Sequence, residues 1–202
     1  MSTAEVLAAE FDAATLHESA GRIGALPARL KPAFTGARII GRAFPVLSPV
    51  GDNLWIQRAI YDASPGDVLV VATTAADEYG YWGEILSEAA AARGLAGLVI
   101  DGGVRDTAEL VKVGFPVFSS NVCIRGTLKD PSSPGAVGAP VRLGDVVVRR
   151  GDLILADSDG VVAIPESRID DVLAAAAERV AKETDIIAQL RQGKSSLALY
   201  NL

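Results

Sequence analysis

Residues 66–120 read GDVLVVATTAADEYGYWGEILSEAAAARGLAGLVIDGGVRDTAELVKVGFPVFSS. Short apolar runs alternate here with segments of helical spacing, which predicts strand, helix, strand, helix and strand in that order. The first strand is followed by a predicted loop over 73–81, and the second strand is predicted over 95–100. Gly94 stands where the first of these helices should end, a common position for glycine. This alternation indicates a parallel or mixed sheet covered by helices, so the chain is predicted to be an α/β protein.

The segments before this stretch predict further elements of the same domain. Residues 4–22 are rich in alanine with apolar residues at helical spacing, which predicts an N-terminal helix. Residues 37–48 predict a strand that is interrupted near Gly41. After a predicted loop over 49–53, residues 54–63 predict a second helix, which ends where Ser64-Pro65-Gly66 begins.

The last third of the chain has a different pattern. After a polar loop over 129–140, residues 141–165 alternate short β-rich runs with Gly-Asp turns, which predicts antiparallel strands. Asp-Ser-Asp-Gly at 157–160 resembles part of a calcium loop but lacks the downstream glutamate spacing, so we interpret it as a hairpin turn. A charged helix is predicted over 166–192. We expect one domain over 1–202.

Composition and charge argue against several classes of protein. The 202 residues carry a formal net charge of −6 with scattered basic residues, which argues against a nucleic-acid partner. No apolar run approaches the ~20 residues that span a bilayer, and the N-terminus lacks the basic start of a signal peptide. The single cysteine excludes an internal disulfide framework and fits a reducing compartment. We therefore expect a cytoplasmic protein with no membrane partner.

Several types of catalytic centre lack the residues they need. His17 is the only histidine and falls in the predicted N-terminal helix, which excludes histidine-containing triads and His-rich zinc sites. The lysines all lie in polar or helix-surface contexts, so none is an obvious Schiff-base lysine. Cys123 follows a strand without a histidine nearby and is interpreted as a buried thiol. No glycine-rich nucleotide fingerprint is present.

The first candidate site is VRDTAEL at residues 104–110. Asp106 and Glu109 have the spacing of an N-cap residue and an N3 acid for the next helix, which is a structural explanation for both. Arg105 is not needed for a cap, and an exposed Arg-Asp pair usually contributes little. A guanidinium after a buried strand can instead bind a carboxylate or an enolate through two hydrogen bonds. Both interpretations stay open.

The second candidate site is Gly83-Glu84, at the start of the preceding helix. Amides of a first helical turn lack intrahelical partners, so an anion can bind there. Gly83 permits a close backbone approach, while Glu84 suits the helix dipole, which is its structural explanation. Because ligands of such sheets bind beyond the carboxyl ends of the strands, we expect this turn and the Arg105-Asp106 turn to converge.

The spacing of these residues resembles that of a known family. Glu84, twenty residues, Arg105-Asp106, two residues and Glu109 resemble the signature of the metal-dependent 4-hydroxy-4-methyl-2-oxoglutarate/4-carboxy-4-hydroxy-2-oxoadipate aldolases, which are related to the regulator of ribonuclease activity A. The similarity extends over about residues 35–195. It implies a single-domain layered β/β/α sandwich like the swivelling phosphohistidine domain. It also implies homotrimers or homohexamers with sites between subunits.

The resemblance further implies a divalent metal site. Asp106 matches the residue that ligates Mg²⁺ or Mn²⁺ directly. Glu84 and Glu183 match residues that hold the metal through water, with Glu183 donated by a neighbouring subunit. One carboxylate with several waters suits Mg²⁺, because this ion gives up its water shell reluctantly.

The substrate implied by the resemblance is a 2-keto acid. Arg105 would contact its pyruvyl part, and its carboxylate would lie at the helix start formed by Gly83, Ile85 and Leu86. The implied reaction is cleavage of 4-hydroxy-2-oxo acids such as 4-hydroxy-4-methyl-2-oxoglutarate to pyruvate and a second carbonyl product, with oxaloacetate decarboxylation as a side activity. The alternative is a non-catalytic protein-binding module like the ribonuclease regulator. Asp106, which the bacterial regulators lose, favours the aldolase.

Overall fold

The computed structural model describes residues 3–74 and 78–202, which form a mixed α/β fold. The elements in chain order are α1 (Thr3–Ala8), α2 (Ala13–Ser19), β1 (Lys31–Pro32), β2 (Ile39–Ser48), α3 (Leu54–Asp62), β3 (Asp67–Thr73), β4 (Gly80–Trp82), α4 (Glu84–Ala92), β5 (Gly97–Val104), α5 (Thr107–Val113), β6 (Val117–Val122), β7 (Ala136–Val137), β8 (Val141–Leu143), β9 (Val146–Val148), β10 (Leu153–Ala156), β11 (Val161–Ile164), α6 (Ile169–Arg191) and α7 (Ser196–Leu199).

The main sheet is mixed, as the sequence predicted. Its strands lie in the order β1-β6-β5-β3-β2-β10-β11. The four central strands β6, β5, β3 and β2 are parallel, whereas β1, β10 and β11 run antiparallel to their neighbours. The short strand β4 lies in line beyond β3, where it pairs in parallel with the end of β5.

The segment between α2 and β2 forces this sheet to curl. Ala25 bridges to Val162 at one edge of the sheet, and Lys31 pairs with Ser119 at the other edge. In a flat sheet the seven spacings between these positions, at ~4.8 Å each, would separate them by about 34 Å. Six residues of extended chain span only about 20–22 Å. The sheet therefore bends into a half-barrel.

The curled sheet separates two other layers. Its concave face holds Leu26 and Leu30 of the connecting segment together with Val70, Val99 and Phe118 of the strands, and the β8–β9 hairpin packs over this face. On the convex face lie α3, α4 and α5 at one end and α1, α2 and α6 at the other. Hairpin, sheet and helices form three layers, which confirms the predicted β/β/α sandwich.

Two predicted elements near the N-terminus are wrong in detail. The predicted helix over 4–22 is two helices, because the Asp12 carboxylate accepts a hydrogen bond from the Thr15 N–H at 2.6 Å and starts α2 anew. The strand predicted to be interrupted near Gly41 is continuous. Gly41 is needed there because a side chain would approach the Gly66 carbonyl oxygen to 2.4 Å.

The predicted elements of the central and last parts are mostly confirmed. α4 ends at Ala92 and is followed by Gly94 with φ 71°, and residues 157–160 form the turn between β10 and β11. The strand predicted over 95–100 continues to Val104, and the predicted loop over 73–81 contains the start of β4. Part of that loop, residues 75–77, lies outside the described residues.

The long C-terminal helix agrees with its predicted position. A single 3₁₀ turn at Glu166–Arg168 leads into α6, which ends at Arg191. This helix packs beside α1 and α2 through Val172, Leu173 and Ala176, while its other faces are charged. Among the described residues, no helix combines the length and the apolar character needed to cross a bilayer.

Phe118 provides a test of the concave core. Its ring is fully buried, so we expect Phe118→Ala to lower the free energy of unfolding by about 3–5 kcal/mol. Tyr61→Ala is the matched control, because Tyr61 is 64% exposed on α3 and its loss should change that free energy by less than about 0.5 kcal/mol. Urea denaturation measures both values. Equal losses in the two variants would contradict the placement of Phe118.

Candidate active site

A small cleft opens where β4 leads into α4 and β5 leads into α5. Its volume is about 40 Å³, compared with the ~10–15 Å³ that a single water requires. The predicted convergence of the two turns is confirmed, because β4 and β5 are parallel and their carboxyl ends meet at this edge. The cleft is lined by Asn53, Gly80, Tyr81, Trp82, Gly83, Ile85, Leu86, Arg105 and Asp106.

Asp106 stands at the N-cap position of α5, but its side chain does not cap this helix. Its backbone is left-handed, with φ 58° and ψ 38°, a conformation that aspartate adopts more readily than most residues. Its side chain makes no hydrogen bond to α5, and Oδ2 instead accepts one from the Glu84 N–H at 3.2 Å. The predicted side-chain cap is therefore wrong, because the left-handed backbone directs the carboxylate to the start of α4.

Glu109 also has a different partner from the one its spacing suggested. Its carboxylate accepts hydrogen bonds from the Lys112 ammonium at 2.8 Å, within α5. This contact raises the pKa of Lys112. Glu109 therefore does not complete a capping box, and the acid in the cleft on this side is Asp106.

Gly83 makes room for the Asp106 carboxylate. A Cβ atom at Gly83 would lie 2.2 Å from Asp106 Oδ2 and 3.2 Å from Arg105 Cγ. At Gly80 a Cβ atom would lie 2.4 Å from the Cys123 carbonyl oxygen and 3.3 Å from Arg105 Cβ. A close approach to the Gly83 backbone was predicted, and the group that makes this approach is the Asp106 side chain.

Arg105 lies beside Asp106 with much of its guanidinium exposed. Its Nε is 3.6 Å from Asp106 Oδ2, and the two side chains are 44% and 39% exposed. Its backbone N–H donates to the Trp82 carbonyl at 2.8 Å, and this hydrogen bond joins the turn after β5 to the end of β4. Among the described residues, Asp106 is the only carboxylate paired with Arg105, so the remaining guanidinium donors can bind an anionic ligand.

The first turn of α4 offers two free amides to the cleft. The Glu84 N–H is taken by Asp106, and the regular helical bonding begins with the Ser87 N–H. In the described part of the chain, the N–H groups of Ile85 and Leu86 have no acceptor, and both residues line the cleft. Such amides at a helix start bind anions.

The donor set at Asp106 fits a hard, strongly hydrated cation. Oδ2 is engaged by the Glu84 amide, whereas Oδ1 accepts no hydrogen bond from the described residues. Within residues 3–74 and 78–202, no group of three or more His, Cys, Asp or Glu side chains gathers to form a cage. A single half-exposed carboxylate completed by waters is the arrangement that Mg²⁺ commonly accepts.

The two glutamates of the predicted metal site lie in different places. Glu84 is exposed at the first turn of α4, directly beside the cleft. Glu183 lies on α6, where its carboxylate pairs with Arg179 at 2.8 Å, and it is not among the cleft-lining residues. A role for Glu183 in a neighbouring subunit's site therefore stays a prediction.

Asn53 is the residue that sequence reasoning missed. It was assigned to the loop before α3, but its side chain is buried, lines the cleft and donates a hydrogen bond to the Tyr81 carbonyl at 2.9 Å. One signal in the sequence pointed to it. The Asp52-Asn53 pair follows the predicted strand over 37–48, just as the other site residues follow their strands.

Cys123 and His17 lie outside the cleft lining. Cys123 is half-buried rather than buried as predicted, because it lies just beyond the end of β6, and its thiol donates to the Glu78 carbonyl at 2.9 Å. His17 lies on the surface of α2 as expected, with Nδ1 3.1 Å from the Ile23 carbonyl oxygen. Neither residue contributes a side chain to the cleft.

The fold is a β/β/α sandwich, and its cleft places the start of α4 beside an arginine and an aspartate. Residues 3–163 match the family model of RraA-like proteins, described as Aldolase/RraA. The chain belongs to this family.

Curated relatives include aldolases by name. The chain is 31% identical over 142 residues to the 4-hydroxy-4-methyl-2-oxoglutarate aldolase of Thermus thermophilus, a match that covers 70% of this chain and 85% of the relative. It is 34% identical over 158 residues to a Halalkalibacterium halodurans protein provisionally named as the same aldolase, covering 78% and 74% of the two chains.

Solved structures share the fold. The RNA-processing inhibitor RraA of Thermus thermophilus superposes with a TM-score of 0.70 at 28% identity, covering 77% of this chain and 93% of the other. An uncharacterised Pseudomonas syringae protein superposes with a TM-score of 0.85 at 25% identity, covering 98% and 92%. Proteins of this fold thus include one described as an inhibitor of RNA processing.

Substitution of Gly83 tests the geometry of the cleft. We expect Gly83→Ala to lower the free energy of unfolding by about 1–3 kcal/mol, because the new methyl group collides with the Asp106 carboxylate and must displace it. Gly126→Ala is the control, since a Cβ atom there meets nothing within 4 Å. Chemical denaturation compares the two variants, and equal stabilities would contradict the close packing at Gly83.

Proposed function

We propose that this protein is a divalent-metal-dependent aldolase of 4-hydroxy-2-oxo acids. The reaction is cleavage of a substrate such as 4-hydroxy-4-methyl-2-oxoglutarate to pyruvate and a second carbonyl product, with oxaloacetate decarboxylation as a side activity. The observation that carries the proposal is the meeting of Asp106, Arg105 and the free α4 amides in one cleft. The names of the curated relatives support it.

Asp106 is the residue that would hold Mg²⁺ or Mn²⁺ directly. Glu84, and Glu183 of a neighbouring subunit, would hold it through water. When bound, the ion withdraws electron density from the 2-keto oxygen as negative charge develops there. The left-handed backbone of Asp106 and the space above Gly83 keep the carboxylate at this position.

The remaining groups of the cleft bind and polarise the keto acid. The amides of Ile85 and Leu86 donate hydrogen bonds to the substrate carboxylate, since they lie at the positive end of α4. Arg105 donates hydrogen bonds to the keto oxygen, where its fixed positive charge favours the enolate over the neutral ketone. These contacts hold the pyruvyl end of the substrate and leave the C4 end to the rest of the cleft.

Cleavage then requires the transfer of one proton and one electron pair. A water positioned by Glu84 accepts the proton of the 4-hydroxyl group as the C4 carbonyl forms. The C3–C4 bond breaks, and its electron pair becomes part of the pyruvate enolate that Arg105 stabilises. The same water returns the proton to C3, which gives pyruvate. Oxaloacetate reaches the same enolate by loss of CO₂, which explains the proposed side activity.

Exposed apolar side chains around the cleft support a homo-oligomer with sites between subunits. Ile85 on α4 and Val111 on α5 are largely exposed, as are Val122 at the end of β6 and Leu128 beyond it. Ile124, between them, is 91% exposed. Apolar surface of this kind usually marks a protein contact. A homotrimer or homohexamer would bury it and could bring Glu183 to a neighbouring cleft.

Release of pyruvate from oxaloacetate or 4-hydroxy-4-methyl-2-oxoglutarate, followed with a coupled dehydrogenase, tests this function. We expect pyruvate release to require Mg²⁺ or Mn²⁺. Asp106→Asn should lower the rate at least about 100-fold, because mutating even a residue that only hydrogen-bonds to a metal ligand costs about 10–100-fold in metal affinity or activity. Asparagine also adopts the left-handed conformation and can accept the Glu84 hydrogen bond, so the fold is kept.

Asp145→Asn is the matched control for this assay. Asp145 is exposed in the β8–β9 turn, away from the cleft, and its variant should keep the full rate. Pyruvate release that persists in the presence of a chelator, or that survives Asp106→Asn, would contradict the proposal. A protein that releases no pyruvate but binds a ribonuclease would fit the non-catalytic alternative.

A further inference from the structure

The cleft contains one buried polar side chain to which the proposed chemistry gives no role. Asn53 is 7% exposed and stands at the N-cap position of α3, yet its side chain makes no capping hydrogen bond. Its backbone N–H donates to the Leu128 carbonyl at 3.1 Å, which fixes the main chain at this point. The side chain therefore does not cap α3 and instead lines the cleft.

The orientation of the Asn53 amide follows from its neighbours. The Tyr81 carbonyl can only accept a hydrogen bond, so the amide nitrogen Nδ2 must face it, at 2.9 Å. The oxygen Oδ1 then faces Gln57, whose Nε2 donates to it at 3.1 Å. Gln57 thus holds the Asn53 amide with its nitrogen towards β4.

One donor of this amide remains unused. An asparagine Nδ2 carries two hydrogens, and among the described residues only the Tyr81 carbonyl accepts one of them. A buried donor without an acceptor is costly, which favours an acceptor supplied from the cleft. Because Asn53 lines the same cleft as Arg105 and Asp106, a bound keto acid can supply that oxygen.

We propose that Asn53 is a substrate-binding residue whose second amide hydrogen is donated to an oxygen of the bound keto acid. Gln57 is the positioning residue that keeps this amide in the donating orientation. The inference rests on the proposed aldolase function and deepens it, because it adds a neutral donor to the charged groups that bind the pyruvyl end. A neutral donor suits an oxygen that stays uncharged, such as a hydroxyl or a carbonyl group.

The test uses Gln57→Glu, assayed with oxaloacetate and Mn²⁺ between pH 4.5 and 8. An ionised glutamate cannot donate to Asn53 Oδ1, whereas a protonated one can. We expect kcat/KM of the variant, relative to wild type at each pH, to be about 10-fold low at neutral pH. The ratio should recover as pH falls towards the ordinary glutamate pKa of ~4.3. A purely structural role of Gln57 would not produce this pH-dependent ratio.

Two further variants complete the experiment. Gln192→Glu, exposed at the end of α6, is the matched control and should give a ratio that is flat with pH. Asn53→Ala should raise KM for oxaloacetate and the inhibition constant of oxalate by about 10-fold each, with a smaller change in kcat. Circular dichroism checks that each variant is folded.

The outcomes separate this inference from the proposed function. Wild-type protein without metal-dependent pyruvate release would overturn both. A second outcome would overturn the role of Asn53 alone. In it the wild type is active, the kcat/KM ratio of Gln57→Glu to wild type stays near one at every pH, and Asn53→Ala keeps the wild-type KM. If Asn53→Ala does not fold, the pH dependence of Gln57→Glu still decides the question.

Discussion

The arrangement of the cleft depends on the hydrogen bond from the Glu84 N–H to the Asp106 carboxylate. This bond joins the starts of α4 and α5, and it requires both a left-handed backbone at Asp106 and a glycine at position 83. The carboxylate occupies the Glu84 amide, and among residues 3–74 and 78–202 no group accepts a hydrogen bond from the next two amides of α4. The proposed cation site and the proposed anion site therefore lie side by side.

The fold brings these helix starts together through the pairing of β4 with β5. Gly80 pairs with Gly103 and Trp82 with Val104 in parallel register, so the two strands deliver their helices to the same edge. The curl of the sheet, imposed by the short segment from Ala25 to Lys31, puts the helices on the convex face and leaves the concave face to core packing. The candidate site therefore lies at the helix-bearing edge.

Sequence patterns predicted the strands and helices, which depend on local periodicity. They did not predict the structural details that depend on contacts between residues far apart in the sequence. The strand–helix alternation placed Glu84 and Asp106 at one edge, and the structure agrees. The left-handed conformation of Asp106 could not be predicted, because an aspartate before a helix has the same pattern as an ordinary cap. The continuity of β2 through Gly41 and the cleft position of Asn53 depend on Gly66 and Tyr81, which are far away in sequence.

The proposed function depends on a divalent cation that the Asp106 carboxylate anchors. Titration of the substrate-free protein with Mn²⁺, followed by electron paramagnetic resonance, tests it most directly, with Asp106→Asn and Asp145→Asn compared under the same conditions. We predict one Mn²⁺ bound per chain in wild type and in Asp145→Asn, and affinity weakened at least about 100-fold in Asp106→Asn. Equal Mn²⁺ affinity in wild type and Asp106→Asn would contradict the account.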